Sequence, residues 1–290
     1  MSAGQGEARA ASLADHYQHC STLVHARDRD RWLATLFVPA EKRPHLHALY
    51  AFNIEIARIR DVVSDPMPGE IRMQWWSDAL EGETRGDVRG HPVADAFLDT
   101  IAKCGLPRVD LTTLIEAHRF DLYDDPMPDF AALGAYCEAT SSVLFRAAAK
   151  ILAAHENAAG EAAHCAGIAY GLTGLLRDLP LHAARGQCFL PADLLAKHGV
   201  SPGGVVGRQD SPALRRALAE LRAIARAHLE QANGALNLLH PPARPALLPL
   251  AVLPLCLAAM ERRGYDPFTA PAGVAQWRQQ WRLWRASRRL

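Results

Sequence analysis

Apolar residues recur every three or four positions along most of this chain, with polar residues between them, which is the pattern of amphipathic helices. The longest such run is 211–239, where Leu214, Leu218 and Leu221 belong to one apolar stripe. No alternating strand pattern of convincing length occurs. The sequence therefore predicts an all-α fold.

Prolines and glycines divide the chain into separate helical segments. The predicted segments are 11–24, 31–38, 41–64, 70–81, 93–103, 111–123, 130–154, 158–179, 189–198, 211–239 and 246–261. We expect Pro66 and Pro68 to stop the third segment, and Pro180 to kink or end the helix that precedes it.

The composition narrows the class of function. The chain has 290 residues, of which 49% are hydrophobic and 22% charged, and its net charge of +1 does not suggest a nucleic-acid binder. Its six cysteines form no CxxC pair, which indicates reduced thiols and argues against a zinc site. We expect no resident metal or cofactor.

The apolar pattern also bears on location. The N-terminus lacks an apolar signal core, so we expect a bacterial cytoplasmic protein, peripheral at most on the inner membrane, or a processed organellar one. The most apolar stretch, near 246–260, is interrupted by Pro249 and Pro254. The protein is predicted to touch a membrane without crossing it.

Two charged clusters are candidates for chemistry. Arg58, Asp61 and Asp65 are spaced at i+3 and i+4, so one helix would place them on one face, as a small site or as a solvated stripe with an Arg58–Asp61 ion pair. The second cluster is Arg177-Asp178 with His182, beside Arg185. Aligned carboxylates on facing helices can hold magnesium.

The C-terminal segment has a different character. Trp277, Trp281 and Trp284 recur at i, i+4 and i+7, with arginines around them. As a helix this segment would either lie on an anionic membrane surface or dock its tryptophans on the core. Both interpretations stay open at this point.

From about residue 20 to 260, the sequence resembles the squalene/phytoene synthase family. The resemblance rests on Leu36-Phe37-Val38-Pro39 with Arg43, Tyr50-Ala51-Phe52, Tyr136-Cys137-Glu138, and the run from Gly167 through Arg177-Asp178 and Arg185-Gly186 to Phe189-Leu190-Pro191. It implies the isoprenoid synthase fold, a helical bundle with a central cavity. Active members join two prenyl diphosphates head to head, using two aspartate-rich motifs that bind magnesium and the diphosphates.

Both motifs depart from the family pattern. Where DDxxD is expected, this chain reads Ala57-Arg58-Ile59-Arg60-Asp61, so only Asp61 remains. Where QxxNxxRDxxxD is expected, residues 171–182 keep the Arg177-Asp178 pair but have glycines at 171 and 174 and histidine at 182. An arginine at 58 replaces an oxygen ligand with a positive charge, so the metal cluster is not expected to form.

Guanidinium groups can still bind phosphate without a metal. The resemblance therefore implies a vestigial prenyl-diphosphate site. Its residues are Arg43, Arg58, Asp61, Asp65, Arg177, Asp178, His182 and Arg185.

Further substitutions resemble a divergent branch of the family. They are Phe52-Asn53-Ile54-Glu55, Arg72-Met73-Gln74-Trp75-Trp76, Thr140-Ser141-Ser142 and Leu181-His182-Ala183. That branch includes a mitochondrial assembly factor of respiratory complex I, which acts on the matrix side of the inner membrane.

The branch implies a non-catalytic assembly protein whose partners are complex I subunits or assembly intermediates. A prenyl diphosphate head-to-head synthase that needs magnesium, and a prenyl-lipid binding protein, are the alternatives. The predicted organisation is a flexible N-terminus at 1–10, an all-α domain at 11–268 and a basic C-terminal helix at 269–290.

Overall fold

The computed structural model describes residues 2–82, 88–153 and 160–290, with side chains described from residue 12 onward. Within these ranges the regular structure is helical and contains no strand, which confirms the all-α prediction. The helices are α1 (Ser2–Arg27), α2 (Arg29–Thr35), α3 (Arg43–Ala57), α4 (Ile59–Val62), α5 (Pro66–Glu81), α6 (Pro92–Cys104), α7 (Arg108–His118), α8 (Phe130–Cys137), α9 (Val143–Leu152), α10 (Gly160–Arg177), α11 (Leu179–Ala184), α12 (Ala192–Lys197), α13 (Pro202–Val206), α14 (Pro212–Ala235), α15 (Leu253–Ala259) and α16 (Gln276–Ser287).

The chain forms two compact units, each built from separated stretches of sequence. Unit 1 comprises Met1–Leu122, Arg146–Asn157 and His240–Ala246. Unit 2 comprises Tyr123–Phe145, Ala158–Leu239 and Leu247–Leu290. The division at residues 11–268 and 269–290, the flexible segment at 1–10 and the central cavity stay predictions.

Helices α1, α3 and α6 pack together in unit 1. Phe52 of α3 stacks on Phe97 of α6 with ring centroids 4.3 Å apart. Near them, the Tyr17 hydroxyl of α1 donates to Asp99 at 2.7 Å and lies 3.0 Å from both His45 and Thr100. Burial raises the pKa of Tyr17 well above its usual range, so this hydroxyl stays a donor and links three helices.

Helix α5 begins earlier than the sequence predicts. Pro66 and Pro68 lie in its first turn, where a missing backbone N–H breaks no helical hydrogen bond, so they start this helix rather than only ending the previous one. Its buried face carries Met73, Trp76 and Leu80, as predicted. The helix ends at Gly82, whose φ of +85° is the left-handed conformation typical of a glycine C-cap.

Helices α10 and α14 form the main packing contact of unit 2. The predicted helix at 130–154 is helical over residues 130–152, but it is not a regular α-helix throughout, because a π turn at Glu138–Ser142 separates α8 from α9. Gly167 of α10 lies directly against Ser142 in this turn, so close that a Cβ at position 167 would overlap the Ser142 backbone. Glycine is therefore required where the two backbones meet.

One described segment, Pro241–Ala259, is long and apolar enough to pass a composition test for a membrane span, and 61% of its most apolar window is buried inside the protein. It runs as a 3₁₀ helix over Pro241–Val252 and then as α15. Burial on this scale is what a core segment of a globular protein shows, so the segment is explained by packing.

Candidate functional site

The first charged cluster does not lie on one helix. Helix α3 ends at Ala57, Arg58 is its C-cap, and α4 contains only four residues. Val63 is extended, and Asp65 stands outside α4 as the N-cap residue of α5. The prediction of one shared helix face for Arg58, Asp61 and Asp65 is wrong, because the chain leaves the helical path between them.

The charges in this cluster are also arranged differently from the predicted stripe. Asp61 and Asp65 are exposed and Arg58 is half-buried. The backbone N–H of Asp61 donates to the Arg58 carbonyl at 2.9 Å, but no ion pair joins the two side chains, both of which are described. The alternative of an Arg58–Asp61 ion pair is therefore wrong.

Arg58 instead lines a cavity of about 460 Å³ in unit 1, which we call the Arg58 cavity. The other polar groups of its wall come from Glu55 of α3, Arg72 of α5 and His91. Its apolar part includes Trp75 and Trp76. The wall thus combines two guanidinium groups, one carboxylate and three aromatic rings.

The aromatic part of this wall is a packed cluster. Trp75 and Trp76 meet edge to face at 5.2 Å, and the His91 ring lies 5.3 Å from each of them. The His91 Nδ1 accepts a hydrogen bond from the Ala94 N–H at 3.3 Å, and burial lowers the pKa of His91. His91 is therefore neutral near pH 7, and the cavity has one more positive than negative group, which suits an anion bound without a metal.

Arg43 was predicted as part of the vestigial site, and two of its nitrogens donate to backbone carbonyls. Its Nε donates to the Val38 carbonyl at 2.8 Å, and its Nη2 donates to the Leu36 carbonyl at 3.1 Å. These two bonds hold the turn that follows α2. Arg43 thus has a structural role that accounts for its place in the Leu36–Pro39 pattern.

The second charged cluster begins where α10 ends. The Arg177 guanidinium donates to Asp178 through both arms, with Nε to Oδ1 and Nη2 to Oδ2 each at 3.0 Å. Both oxygens of this carboxylate therefore accept from arginine in a bidentate pair. The side chains of these two adjacent residues therefore pair with and neutralise each other.

His182 and Arg185 follow on α11 and its C-cap. The His182 ring packs on Phe189 with centroids 4.7 Å apart, and Phe189 in turn packs on Tyr136 at 5.6 Å. Arg185 is exposed. Aromatic packing thus accounts for His182 in the place of the motif's last aspartate.

These donor sets do not fit a magnesium cluster. In unit 1 the first motif keeps only the exposed Asp61, and in unit 2 the Asp178 carboxylate is paired with arginine. No group of three or more His, Cys, Asp or Glu side chains with the geometry for a metal occurs within residues 12–82, 88–153 and 160–290. Magnesium needs several oxygen ligands besides those of the substrate, and neither motif supplies them.

The acidic turn at 124–129 has no metal-binding character either. Asp124 and Asp125 are exposed, and Asp129 caps α8 by accepting from the Ala132 N–H at 2.7 Å. Met127 between them is buried, and its backbone bonds to Cys188 and Ala192 fix the turn.

Helix α16 spans Gln276–Ser287 within the predicted C-terminal segment 269–290, and it shows how the three tryptophans lie. Trp277, Trp281 and Trp284 are 67%, 49% and 48% exposed, whereas Leu283 is fully buried. Docking of the tryptophans on the core is therefore wrong, because Leu283 is the residue that anchors this helix. Membrane contact by the three tryptophans stays a prediction.

Sequence reasoning missed most of the Arg58 cavity. Arg72 and Trp75 are three residues apart on α5, which is a signal that they share a face. Nothing in the sequence places α5 beside Arg58 or brings His91 to the same wall. Those relations depend on tertiary packing.

With this geometry, the chain belongs to the squalene/phytoene synthase family, whose profile matches residues 24–285. Among curated proteins it is similar to NADH dehydrogenase (ubiquinone) complex I, assembly factor 6, from rat, with 30% identity over 256 residues that cover 88% of this chain and 77% of the rat protein. The human protein of the same name is 31% identical over 254 residues, covering 88% and 76%.

It is also similar to the 15-cis-phytoene synthase of Synechococcus elongatus, with 27% identity covering 93% of this chain and 91% of the synthase. The combination of relatives is consistent with a divergent branch of the family.

Solved structures support the fold. A dehydrosqualene synthase aligns with a TM-score of 0.81 at 18% identity, covering 97% of this chain and 98% of the synthase. The squalene synthase of Alicyclobacillus acidocaldarius aligns with a TM-score of 0.74 at 24% identity, covering 89% and 97%. The fold is therefore the isoprenoid synthase helical fold, as the resemblance implied.

Proposed function

We propose that this protein is a non-catalytic member of the squalene/phytoene synthase family that supports the assembly of respiratory complex I at a membrane surface. The observation that carries the proposal is the similarity to complex I assembly factor 6, which extends over 88% of the chain. The partners would be complex I subunits or assembly intermediates.

The state of the two motifs supports the absence of catalysis. Ionisation of a prenyl diphosphate requires cations that neutralise the charge developing on the leaving group. Here Ala57 and Arg58 supply no oxygen ligand, and Asp178 is held by Arg177. Arg58 would also repel a divalent cation placed beside it.

The exposed tryptophans of α16 support a position on a membrane surface, because indole rings are favoured at the depth of lipid headgroups. The proposed location is the cytoplasmic face of the inner membrane in a bacterium, or the matrix face if the protein is mitochondrial.

A genetic experiment tests the assembly role. We expect deletion of the gene to lower the amount of mature complex I on native gels and expression of the wild-type protein to restore it. The Asp61→Asn variant should restore it equally, since this exposed carboxylate is not used for catalysis. Normal complex I in the deletion strain would refute the proposal.

A biochemical experiment tests the loss of chemistry. Purified protein is incubated with farnesyl or geranylgeranyl diphosphate and magnesium, with heat-killed protein as the control. We expect no product above the control. Product that disappears in the Asp61→Asn variant would establish the prenyl diphosphate synthase alternative instead.

Co-purified lipid distinguishes the third possibility. Extraction of the native protein followed by mass spectrometry should reveal no stoichiometric prenyl lipid if assembly is the only role. A stoichiometric prenyl chain in the extract would favour the prenyl-lipid binding protein.

A further inference from the structure

A second cavity, of about 540 Å³, lies within unit 2 along α16. Its accessible apolar wall includes Leu236, Ala251 and Pro254, which are half-buried, and the buried Leu247 and Leu250 lie behind them. Its polar wall consists of Asn233 and three arginines, Arg282, Arg285 and Arg289. We call this cavity the C-terminal pocket.

The three arginines form one row on the helix. Their spacing of three and four residues places them on the same side of α16. Leu283 faces the protein interior and the three tryptophans face outward. The arginine row lies between these two faces, at the boundary between the pocket and the surface.

The side chains that line the pocket carry three positive charges and no negative charge. No aspartate or glutamate follows Asp266 in the sequence. Arg282, Arg285 and Arg289 form no ion pair with a carboxylate of the described residues. A bound anion would supply the missing countercharge.

One of these arginines has a donor withdrawn from water. The Nε of Arg282 is buried and finds no hydrogen-bond partner among the described atoms. Buried donors are normally satisfied and an unsatisfied one is costly, so a small shift of the Arg282 side chain toward a bound acceptor would be favourable.

We infer that the C-terminal pocket binds one anionic membrane lipid. The lipid phosphate lies at the arginine row, and part of a hydrocarbon chain lies against the apolar wall. The cavity volume falls within the range of sites that hold small organic ligands. The apolar wall is the reason to choose a lipid, because free phosphate would leave the half-buried Leu236, Ala251 and Pro254 in contact with water.

The outward face of α16 fits the same ligand. Arg278, Arg285 and Arg288 lie over the rings of Trp277, Trp281 and Trp284 at 5.6, 5.4 and 5.1 Å. Tryptophan and arginine together suit the interface of an anionic membrane, which would bring the pocket to headgroup depth. The inference goes beyond the assembly role, since lipid can bind whether or not complex I is the client.

The test uses the purified full chain and isothermal titration calorimetry. The probes are short-chain phosphatidylglycerol in solution, short-chain phosphatidylcholine and inorganic phosphate. We expect saturable binding of one phosphatidylglycerol per chain, and affinities at least tenfold weaker for the other two probes. Equal affinity for inorganic phosphate would overturn the lipid assignment and leave a simple anion site.

Three variants test the position of the site. Ala286 lines the pocket, so Ala286→Phe fills it while every charge is kept. Arg282→Gln removes the charge with the buried Nε, and Arg288→Gln is the matched control because it removes the same charge from a position stacked on Trp284. We expect the first two to weaken phosphatidylglycerol binding about tenfold, or about 1.4 kcal/mol, and the control less than twofold.

Two results would overturn the inference. Equal losses in Arg282→Gln and Arg288→Gln would mean that the helix binds only through its overall charge. Undiminished binding by folded Ala286→Phe would mean that the pocket is not used. Circular dichroism establishes folding, and if Ala286→Phe does not fold, the comparison of the two arginine variants decides.

Discussion

The contact between Gly167 of α10 and the π turn gives the most direct test of the unit 2 packing. Replacing Gly167 by alanine adds one methyl group, which would overlap the Oγ, Cα and N atoms of Ser142. Two of these atoms belong to the backbone, so no side-chain rotation can relieve the overlap. Either α10 or the π turn must move.

The magnitude follows from a matched pair of substitutions on the same helix. A Cβ at Gly174 meets nothing within 4 Å, so Gly174→Ala should show only the gain in helix propensity, about 0.5–1 kcal/mol of added stability. Gly167→Ala has the same gain but also an overpacking cost of about 1–3 kcal/mol. We expect the upper end of that range because backbone is displaced, so Gly167→Ala should be less stable than wild type by about 2 kcal/mol.

Gly171→Ala provides an intermediate case. Its Cβ would come within 2.9 Å of the Cys137 Sγ and 3.1 Å of the Ser141 Oγ, both of which are side-chain atoms that can shift. The expected order of stability is therefore Gly174→Ala, wild type, Gly171→Ala, Gly167→Ala.

Urea unfolding followed by far-ultraviolet circular dichroism measures this order. The comparison is valid if the unfolding free energy depends on urea concentration with the same slope in all four proteins. Midpoints for Gly167→Ala and Gly174→Ala that coincide would refute the close approach of α10 to the π turn.

Three further predictions concern ionisation and reactivity. Burial, with a smaller contribution from Arg43, lowers the pKa of His47 from 6.5 to about 4 in the folded protein. As the pH falls from 6.5 to about 4, the unfolded state is therefore protonated at His47 before the folded state is, and the folded state loses stability. Between pH 7 and pH 5 the unfolding free energy should fall by about 2 kcal/mol more in wild type than in His47→Gln, measured by urea titration. Glu261→Gln should cost less than about 1 kcal/mol in the same assay, although it breaks a two-armed pair with Arg226 at 2.6 and 2.7 Å, because the Arg226 and Glu261 side chains are 38% and 42% exposed and are screened by water. Iodoacetamide should label Cys104 before the other five cysteines, since Cys104 alone among the six is not buried. Burial also raises the pKa of the Cys137 thiol to about 12, which slows its reaction further. Peptide mapping identifies the first labelled cysteine, and a buried cysteine labelled before Cys104 would contradict the prediction.

The helical content was predictable because it depends on local periodicity. The stripe through Leu214, Leu218 and Leu221 is buried as expected, and so is the predicted face of α5. Element ends were less predictable, since they depend on neighbours far away in sequence. The π turn at Glu138–Ser142 is an example, because the residues that accompany it lie on α10: Gly167 packs against Ser142, and the Ser142 hydroxyl donates to the His164 carbonyl.

The candidate site was predictable as a set of residues but not as a geometry. Ala57 and Arg58 are both good helix formers, so the sequence contains no signal for the break between α3 and α4. The adjacency of Arg177 and Asp178 likewise does not show that the guanidinium turns back onto its neighbour. The helix break at Arg58 and the conformation of the Arg177 side chain depend on the tertiary contacts around them.

The main packing contacts of the fold do not involve positions 57 and 58 of the first motif. Unit 1 depends on the Phe52–Phe97 stack and the Tyr17 hydrogen bonds, and unit 2 depends on the contact of Gly167 with Ser142. Losing carboxylates at 57 and 58 therefore removes no packing, and it also removes the repulsion that closely spaced aspartates suffer without a metal. A scaffold built in this way can lose its metal chemistry without losing its fold, which is the condition that a non-catalytic member of an enzyme family must meet.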